Sequence, residues 1–239
     1  MQNAIWNAAV DPDEGFPFSE EYEFFVPVRL LGGEKAVWRN RSLLPSLGKR
    51  CLLVTGKHSA ISSGARQDVE ETLKAEGISW SVFDGIGENP TLEACRAAAR
   101  LCREERADFV LGIGGGSPMD AAKAVAVLAA DPQLPEDLLF SKKWPAEPLP
   151  IAVVGTTSGT GSEISNVSVL TCSDGRKRSI SGPSLYPTLS FGDPRYTYTM
   201  SRAATITTGL DAFAHAAEGY LSPKCGKITA SFGEMAIPV

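Results

Sequence analysis

A chain of 239 residues with 43% apolar and 21% charged residues has the balance of a globular protein, longer than one average domain and short of two comfortable ones. A net charge of −5 with scattered lysines and arginines argues against a nucleic-acid partner, and no apolar run approaches the length that spans a bilayer. Five cysteines without a Cys-x-x-Cys pair fit reduced thiols, and the acidic N-terminus lacks the order of a secretion signal, so a cytoplasmic protein is expected.

Residues 1–21 read as an acidic lead-in. Residues 22–31 predict a strand with Phe24, Val26, Val28 and Leu30 on one face, closed by Gly32 and Gly33. A helix is expected over 34–47 and a buried strand over 51–55. An amphipathic helix follows over 62–76, with Val69 and Leu73 inward and Glu70, Glu71 and Lys74 outward. After a strand over 80–83, Thr91 caps a helix running to about Arg106, and an apolar strand starts from Asp108. Residues 151–154 predict the next strand, 167–171 and 177–181 a hairpin turned at Asp174 and Gly175, and 189–191 a last short strand. From Ser201 the composition becomes helical, with another helix from about Ile228. The β-α-β-α-β-α order predicts a Rossmann-like parallel sheet flanked by helices, an α/β domain over 1–200 followed by the start of an all-helical second domain over 201–239.

Residues 111–130, LGIGGGSPMDAAKAVAVLAA, carry the densest signal. A strand end meets three glycines, then Ser117 as an expected N-cap, Pro118 at the first helical position and Asp120 placed for a capping box. Such a turn aims bare backbone N–H groups and a positive helix end at the space above the sheet, where a phosphate is the natural ligand. Further along, Asp211 and His215 stand four apart in a helical stretch, a spacing that lets one oxygen and one nitrogen share a divalent metal.

The strings GGGSPMDAAK at 114–123, TTSGTGSE at 156–163 and GLDAFAHAAEGY at 209–220, with DPRYTYTMS at 193–201, occur in this order and at these intervals. Together they resemble the iron-containing (group III) alcohol dehydrogenases, and most closely their 1,3-propanediol and butanol dehydrogenase branch, from about residue 22 to the end. The resemblance implies an NAD(P)-binding domain followed by a helical domain holding Fe²⁺, in the dehydroquinate synthase-like arrangement. It implies interconversion of primary alcohols or diols with aldehydes by metal-assisted hydride transfer, in a homo-oligomer such as a dimer. Carried over by position, Gly115, Gly116 and Ser117 with Asp120 resemble the pyrophosphate-binding turn. Thr156, Thr157 and Thr160 with Ser165 look like the hydroxyl-bearing loop around the cofactor, Lys177 and Asn89 match further cofactor contacts, and Asp211 and His215 match metal ligands.

The strand ending at Thr55 leads into Gly56-Lys57-His58-Ser59, with no acid to meet a ribose 2′-hydroxyl. NADP(H) is therefore expected in preference to NAD, with Gly56 and Ser59 near the 2′-phosphate. One departure stands against the resemblance. The family's metal is held by an aspartate and three histidines, whereas this chain has only His58, in the nucleotide half, and His215. The expectation is a sequence whose C-terminal part is missing and which is inactive as it stands. The alternatives are a non-catalytic NADP-binding module and, lower, a relative of glycerol dehydrogenase or dehydroquinate synthase. Those enzymes usually carry lysine where Ser117 stands and lack the TTSGTGSE string.

Overall fold

The computed structural model describes residues 23–141 and 144–237; the expected lead-in over 1–21 and Tyr22 of the first expected strand lie outside the described residues. In chain order the elements are β1 (Arg29–Gly32), α1 (Ala36–Arg39), β2 (Arg50–Thr55), α2 (Ser59–Ser62), α3 (Ala65–Ala75), β3 (Ser79–Phe83), α4 (Leu92–Glu104) and β4 (Phe109–Gly114). They continue with α5 (Gly116–Ala130), α6 (Glu136–Leu139), β5 (Ile151–Gly155), β6 (Val167–Thr171), β7 (Lys177–Ser181), β8 (Leu189–Gly192), α7 (Arg202–Leu221) and α8 (Lys227–Ala236). β6 and β7 form an antiparallel hairpin, and the other six strands make one sheet in the order β1-β8-β5-β4-β2-β3. Every pair in that sheet is parallel.

Period-two alternation divides the core between the two faces of the sheet. Leu52, Val54, Val110 and Val153 pack with α4 and α5, while Cys51, Leu53, Leu111, Ile113 and Val154 pack with Val69 and Leu73 of α3. Apart from Asp120, α5 is buried on all sides from Pro118 to Ala129, as a helix apolar all round must be. Its alanines let it lie close to β4: a Cβ on Gly112 would stand 2.8 Å from that of Ala122. Strand order also locates the ligand face. From β2 the chain runs outward to β3, then returns through α4 to place β4 on the other side of β2. The topological switch point therefore falls between β2 and β4, at Gly56 and the glycine turn, and open parallel sheets take ligands at the carboxyl ends of the strands there.

Several expected boundaries move for identifiable reasons. Only residues 29–32 of the expected first strand find a partner, in β8, and Phe24, Val26 and Leu30 are exposed. The expected helix over 34–47 is the single turn α1 followed by a 3₁₀ stretch, Arg41–Ser46, in which Pro45 has no N–H to donate. Gly64, at φ 80°, separates α2 from α3, so the amphipathic helix begins at Ala65. Gly115, not Ser117, is the N-cap of α5; Ser117 and Pro118 lie inside its first turn, and the capping box is not formed because the Asp120 carboxylate is engaged elsewhere. Thr91 caps α4 as expected, accepting from the Ala94 N–H at 3.2 Å.

Packing divides the chain into Val26–Gly209, which holds the sheet, and a second unit that contains Leu210–Val239. In the second unit α8 lies against the end of α7, where a Cβ on Gly233 would meet the Tyr220 ring carbon at 3.1 Å, and Phe24 and Phe232 stand 6.0 Å apart. Among the described residues no helix is long and apolar enough to cross a membrane.

Candidate functional site

The glycine turn leaves β4 at Gly114, whose φ of 151° is strained for any residue with a side chain; a Cβ there would also stand 2.6 Å from Pro118. Its carbonyl accepts the Thr156 N–H at 2.8 Å, which ties the start of the 156–163 loop to the turn. The loop then lies directly on bare backbone. A Cβ on Gly115 would be 3.1 Å from Thr157 Oγ1, and one on Gly116 would be 2.9 Å from Thr160 Cγ2. The hydroxyls of Thr156 and Thr157 are buried and have no hydrogen-bond partner among the described residues. An unpaired buried hydroxyl costs about 1–3 kcal/mol, so these two atoms have bonding capacity to offer a ligand.

Other expected site residues gather at the same edge. The Asn89 N–H donates to Ser117 Oγ at 3.2 Å, and the Asn89 carbonyl accepts from Thr171 Oγ1 at 3.4 Å. Thr171 pairs in register with Lys177 across the hairpin, which puts that exposed lysine on the same flank. Gly56 follows β2 at the switch point, and a Cβ there would meet the Ile86 carbonyl oxygen at 3.1 Å. Ser59 opens α2 and is exposed.

Asp120 and Ser165 are bonded within the protein. Asp120 Oδ1 accepts from Ser162 Oγ at 2.6 Å and Oδ2 from the Val169 N–H at 2.9 Å. Ser165 Oγ accepts from Lys123 Nζ at 3.2 Å, and the same ammonium donates to Ser162 Oγ at 2.9 Å and to the Val167 carbonyl at 2.8 Å. Lys123 is wholly buried, and burial pulls its pKa down to about 8 against the opposing pull of Asp120 and Glu163. Sequence reasoning passed over this residue. Its signal was a single lysine in the otherwise apolar run AAKAVAVLAA.

Asp211 and His215 share one face of α7, with His215 Nε2 3.9 Å from Asp211 Oδ1 and both side chains about half exposed. Among the described residues no group of three or more His, Cys, Asp or Glu could hold a metal. One oxygen and one nitrogen do not complete an iron site, so the donor set present does not fit the ion that the resemblance implies.

An open parallel sheet with a glycine turn and a helix N-terminus at its switch point places the chain in the Rossmann-like class of α/β folds. Residues 27–194 match the family described as iron-containing alcohol dehydrogenase, and the chain belongs to that family. The matched span encloses the glycine turn, the hydroxyl loop, Gly56 and Lys177, and ends before Asp211. Its relatives include a long-chain primary alcohol dehydrogenase from Thermoanaerobacter ethanolicus, 32% identical over 90% of this chain and 54% of that protein. A probable NADH-dependent butanol dehydrogenase from Bacillus subtilis is 32% identical over 84% of this chain and 52% of its own length. The chain thus spans about half the length of these curated relatives. Among solved structures, an iron-containing alcohol dehydrogenase from Thermotoga maritima superposes with a TM-score of 0.85 at 40% identity, covering 89% of this chain and 59% of that one. A sulfoacetaldehyde reductase from Bifidobacterium kashiwanohense, in complex with NAD⁺, gives 0.82 at 30% identity over 90% of this chain and 57% of that one.

Proposed function

We propose that the chain provides the dinucleotide-binding half of an iron-type alcohol dehydrogenase that interconverts primary alcohols or diols with aldehydes. The observation that carries this reading is the pair of buried, unpartnered hydroxyls on Thr156 and Thr157, with Thr157 set directly against Gly115 at the switch point. The N–H groups of Gly116 and Ser117 and the positive end of α5 take the pyrophosphate, and the absence of a side chain at Gly115 and Gly116 lets it approach the backbone. Thr160, Asn89 and Lys177 flank the same edge and orient the bound molecule. When bound, the dinucleotide supplies the hydride acceptor of alcohol oxidation; the chain's part is to hold the ring and exclude water. Asp211 and His215 offer one oxygen and one nitrogen, which do not complete an iron site.

The cofactor we favour is NADP(H), since Gly56 leaves no carboxylate to repel a 2′-phosphate. NAD(H) is the second reading, favoured by the NADH-dependent butanol dehydrogenase and the NAD⁺-bound reductase among the similar proteins. The setting we propose is cytoplasmic, in a homo-oligomer such as a dimer acting on small alcohols and aldehydes. The 239-residue chain alone should oxidise no alcohol at a useful rate. Oxidation of 1,3-propanediol and 1-butanol with NADP⁺ and NAD⁺, with and without Fe²⁺, tests this beside an Asp211→Ala control. Iron-dependent turnover lost in that control would overturn it.

A further inference from the structure

The most unusual group in the sheet unit is the buried ammonium of Lys123, and nothing in the proposed chemistry uses it. Its three protons meet three acceptors, Ser162 Oγ, Ser165 Oγ and the Val167 carbonyl, so the ion is fully satisfied. All three acceptors lie at the far end of the hydroxyl loop. Asp120, one turn earlier on α5, grips the same segment through Ser162 Oγ and the Val169 N–H, while Ser168 Oγ donates to the Asp120 carbonyl at 2.8 Å. The Ser162 N–H in turn donates to Thr160 Oγ1 at 3.3 Å, and the Thr160 methyl lies 2.9 Å from where Gly116 would carry a Cβ. A continuous chain of contacts therefore runs from Lys123 through Ser162 and Thr160 to the glycine turn.

A buried ion is a poor way to gain stability, because an apolar side chain of similar volume fills the same space without a desolvation cost. A positively charged three-way donor does something an apolar group cannot: it fixes the separation of three points on a loop. We infer that Lys123 is a positioning residue, whose ammonium holds the 156–168 loop at the height over the glycine turn that presents the Thr157 and Thr160 side chains to a dinucleotide. The inference rests on the dinucleotide reading above and names what sets the geometry of that site.

The cluster gives the idea a signature beyond folding. The charged groups facing Lys123 are Asp120 and Glu163, and Asp120 is faced in turn by Cys95, whose thiol burial pushes up to about 12. Lys123 is accordingly the member that changes charge near pH 8. As a neutral amine it keeps two N–H donors for three acceptors, so one loop contact is lost.

The test is a fluorescence titration of the full chain with NADH, which has no phosphate that ionises in this range, between pH 6.5 and 9.5. The wild type should bind with a constant Kd up to about pH 7.5 and then weaken about tenfold as the pH passes 8, the scale of one lost hydrogen bond. Lys123→Met should bind about tenfold or more weakly at low pH, with no break near 8. Combining it with Ser165→Ala, which removes an acceptor of Lys123 only, should add nothing further. Hydrogen exchange on the ligand-free chain should show faster exchange over 156–168 in Lys123→Met, with β2, β4 and β5 unchanged. Should Lys123→Met fail to fold, Ser165→Ala keeps the lysine, removes one of its three acceptors, and should weaken NADH binding and speed exchange over 156–168 in the same direction. Lys123→Met, or Ser165→Ala in its place, binding NADH like the wild type at every pH with unchanged loop exchange would overturn the positioning role alone. A wild type that binds neither NADH nor NADPH would overturn the dinucleotide reading and this role with it.

Discussion

Helices α5 and α7 draw on nearly the same alphabet of small apolar residues broken by a few polar ones, yet they end in opposite conditions. The apolar residues of α5 from Pro118 to Ala129 are all buried, whereas α7 contains no buried residue. The polar groups differ in step. Around α5, Asp120 and Lys123 are hydrogen-bonded to the 162–169 segment, and the unpartnered hydroxyls of Thr156 and Thr157 belong to the loop set against its N-terminus. On α7, Asp211 and His215 have each other at 3.9 Å, half exposed. The groups around α5 are set by packing, which leaves few alternatives for them. The Asp211 and His215 pair on α7 is set by helical spacing alone, which any Asp and His four apart would share.

The sharpest way to break this contrast is at the packed groups around α5. Gly115→Val would force a β-branched side chain into the 3.1 Å gap beside Thr157 Oγ1 and across the approach of a phosphate to the backbone. NADPH and NADH titrations should show at least about a 100-fold loss of affinity, with far-UV circular dichroism unchanged. Normal binding by a folded variant would mean that the turn is structural only.

The next effect concerns the cost of the buried ammonium. Below pH 8 Lys123 is protonated in both the folded and the unfolded chain, so it contributes no pH dependence. Between its folded value of about 8 and the ordinary value near 10.5 the unfolded chain binds more protons, and stability from this group rises with pH across that window. The full gain is about 3 kcal/mol. Because the buried thiols of Cys51, Cys95 and Cys102 pull stability the other way above pH 9, urea unfolding at pH 7.5 and 10 should show the wild type gaining stability relative to Lys123→Met; equal changes in the two would remove the argument.

A smaller change sharpens the choice of cofactor. Gly56→Asp places a carboxylate at the end of β2 and should shift the NADPH-to-NADH affinity ratio about tenfold toward NADH. The Ile86 carbonyl at 3.1 Å from the new Cβ should lower the melting temperature slightly. An unchanged ratio would move the 2′-position away from Gly56.

Much of this was legible in the sequence because it depended on local chemistry. Thr91 as a cap, the Asp174-Gly175 hairpin and the buried strands of the sheet all follow from residue type and period. What escaped depended on partners far along the chain. Phe24 and Val26 alternate like a strand, but β8 offers pairing only from Arg29. Ser117 looks like a cap, but the cap is Gly115, two residues earlier, and Asp120 is drawn to Ser162 and Val169, more than forty positions away. Lys123 could not be read as a clamp until the loop that it holds was placed against it. In the candidate site the glycine turn and the threonine string were visible as motifs, whereas the contact between them is a tertiary fact.

The central claim is that the sheet unit binds the dinucleotide without the Asp211 and His215 pair. Fluorescence titration with NADPH of the wild-type chain and of Asp211→Ala, each with and without Fe²⁺, tests it most directly. One saturable site per chain is predicted, with Kd values within about twofold in all four conditions, because Asp211 is not among the groups proposed to bind the dinucleotide. Absence of saturable binding, or binding that appears only with Fe²⁺ and disappears in Asp211→Ala, would contradict it.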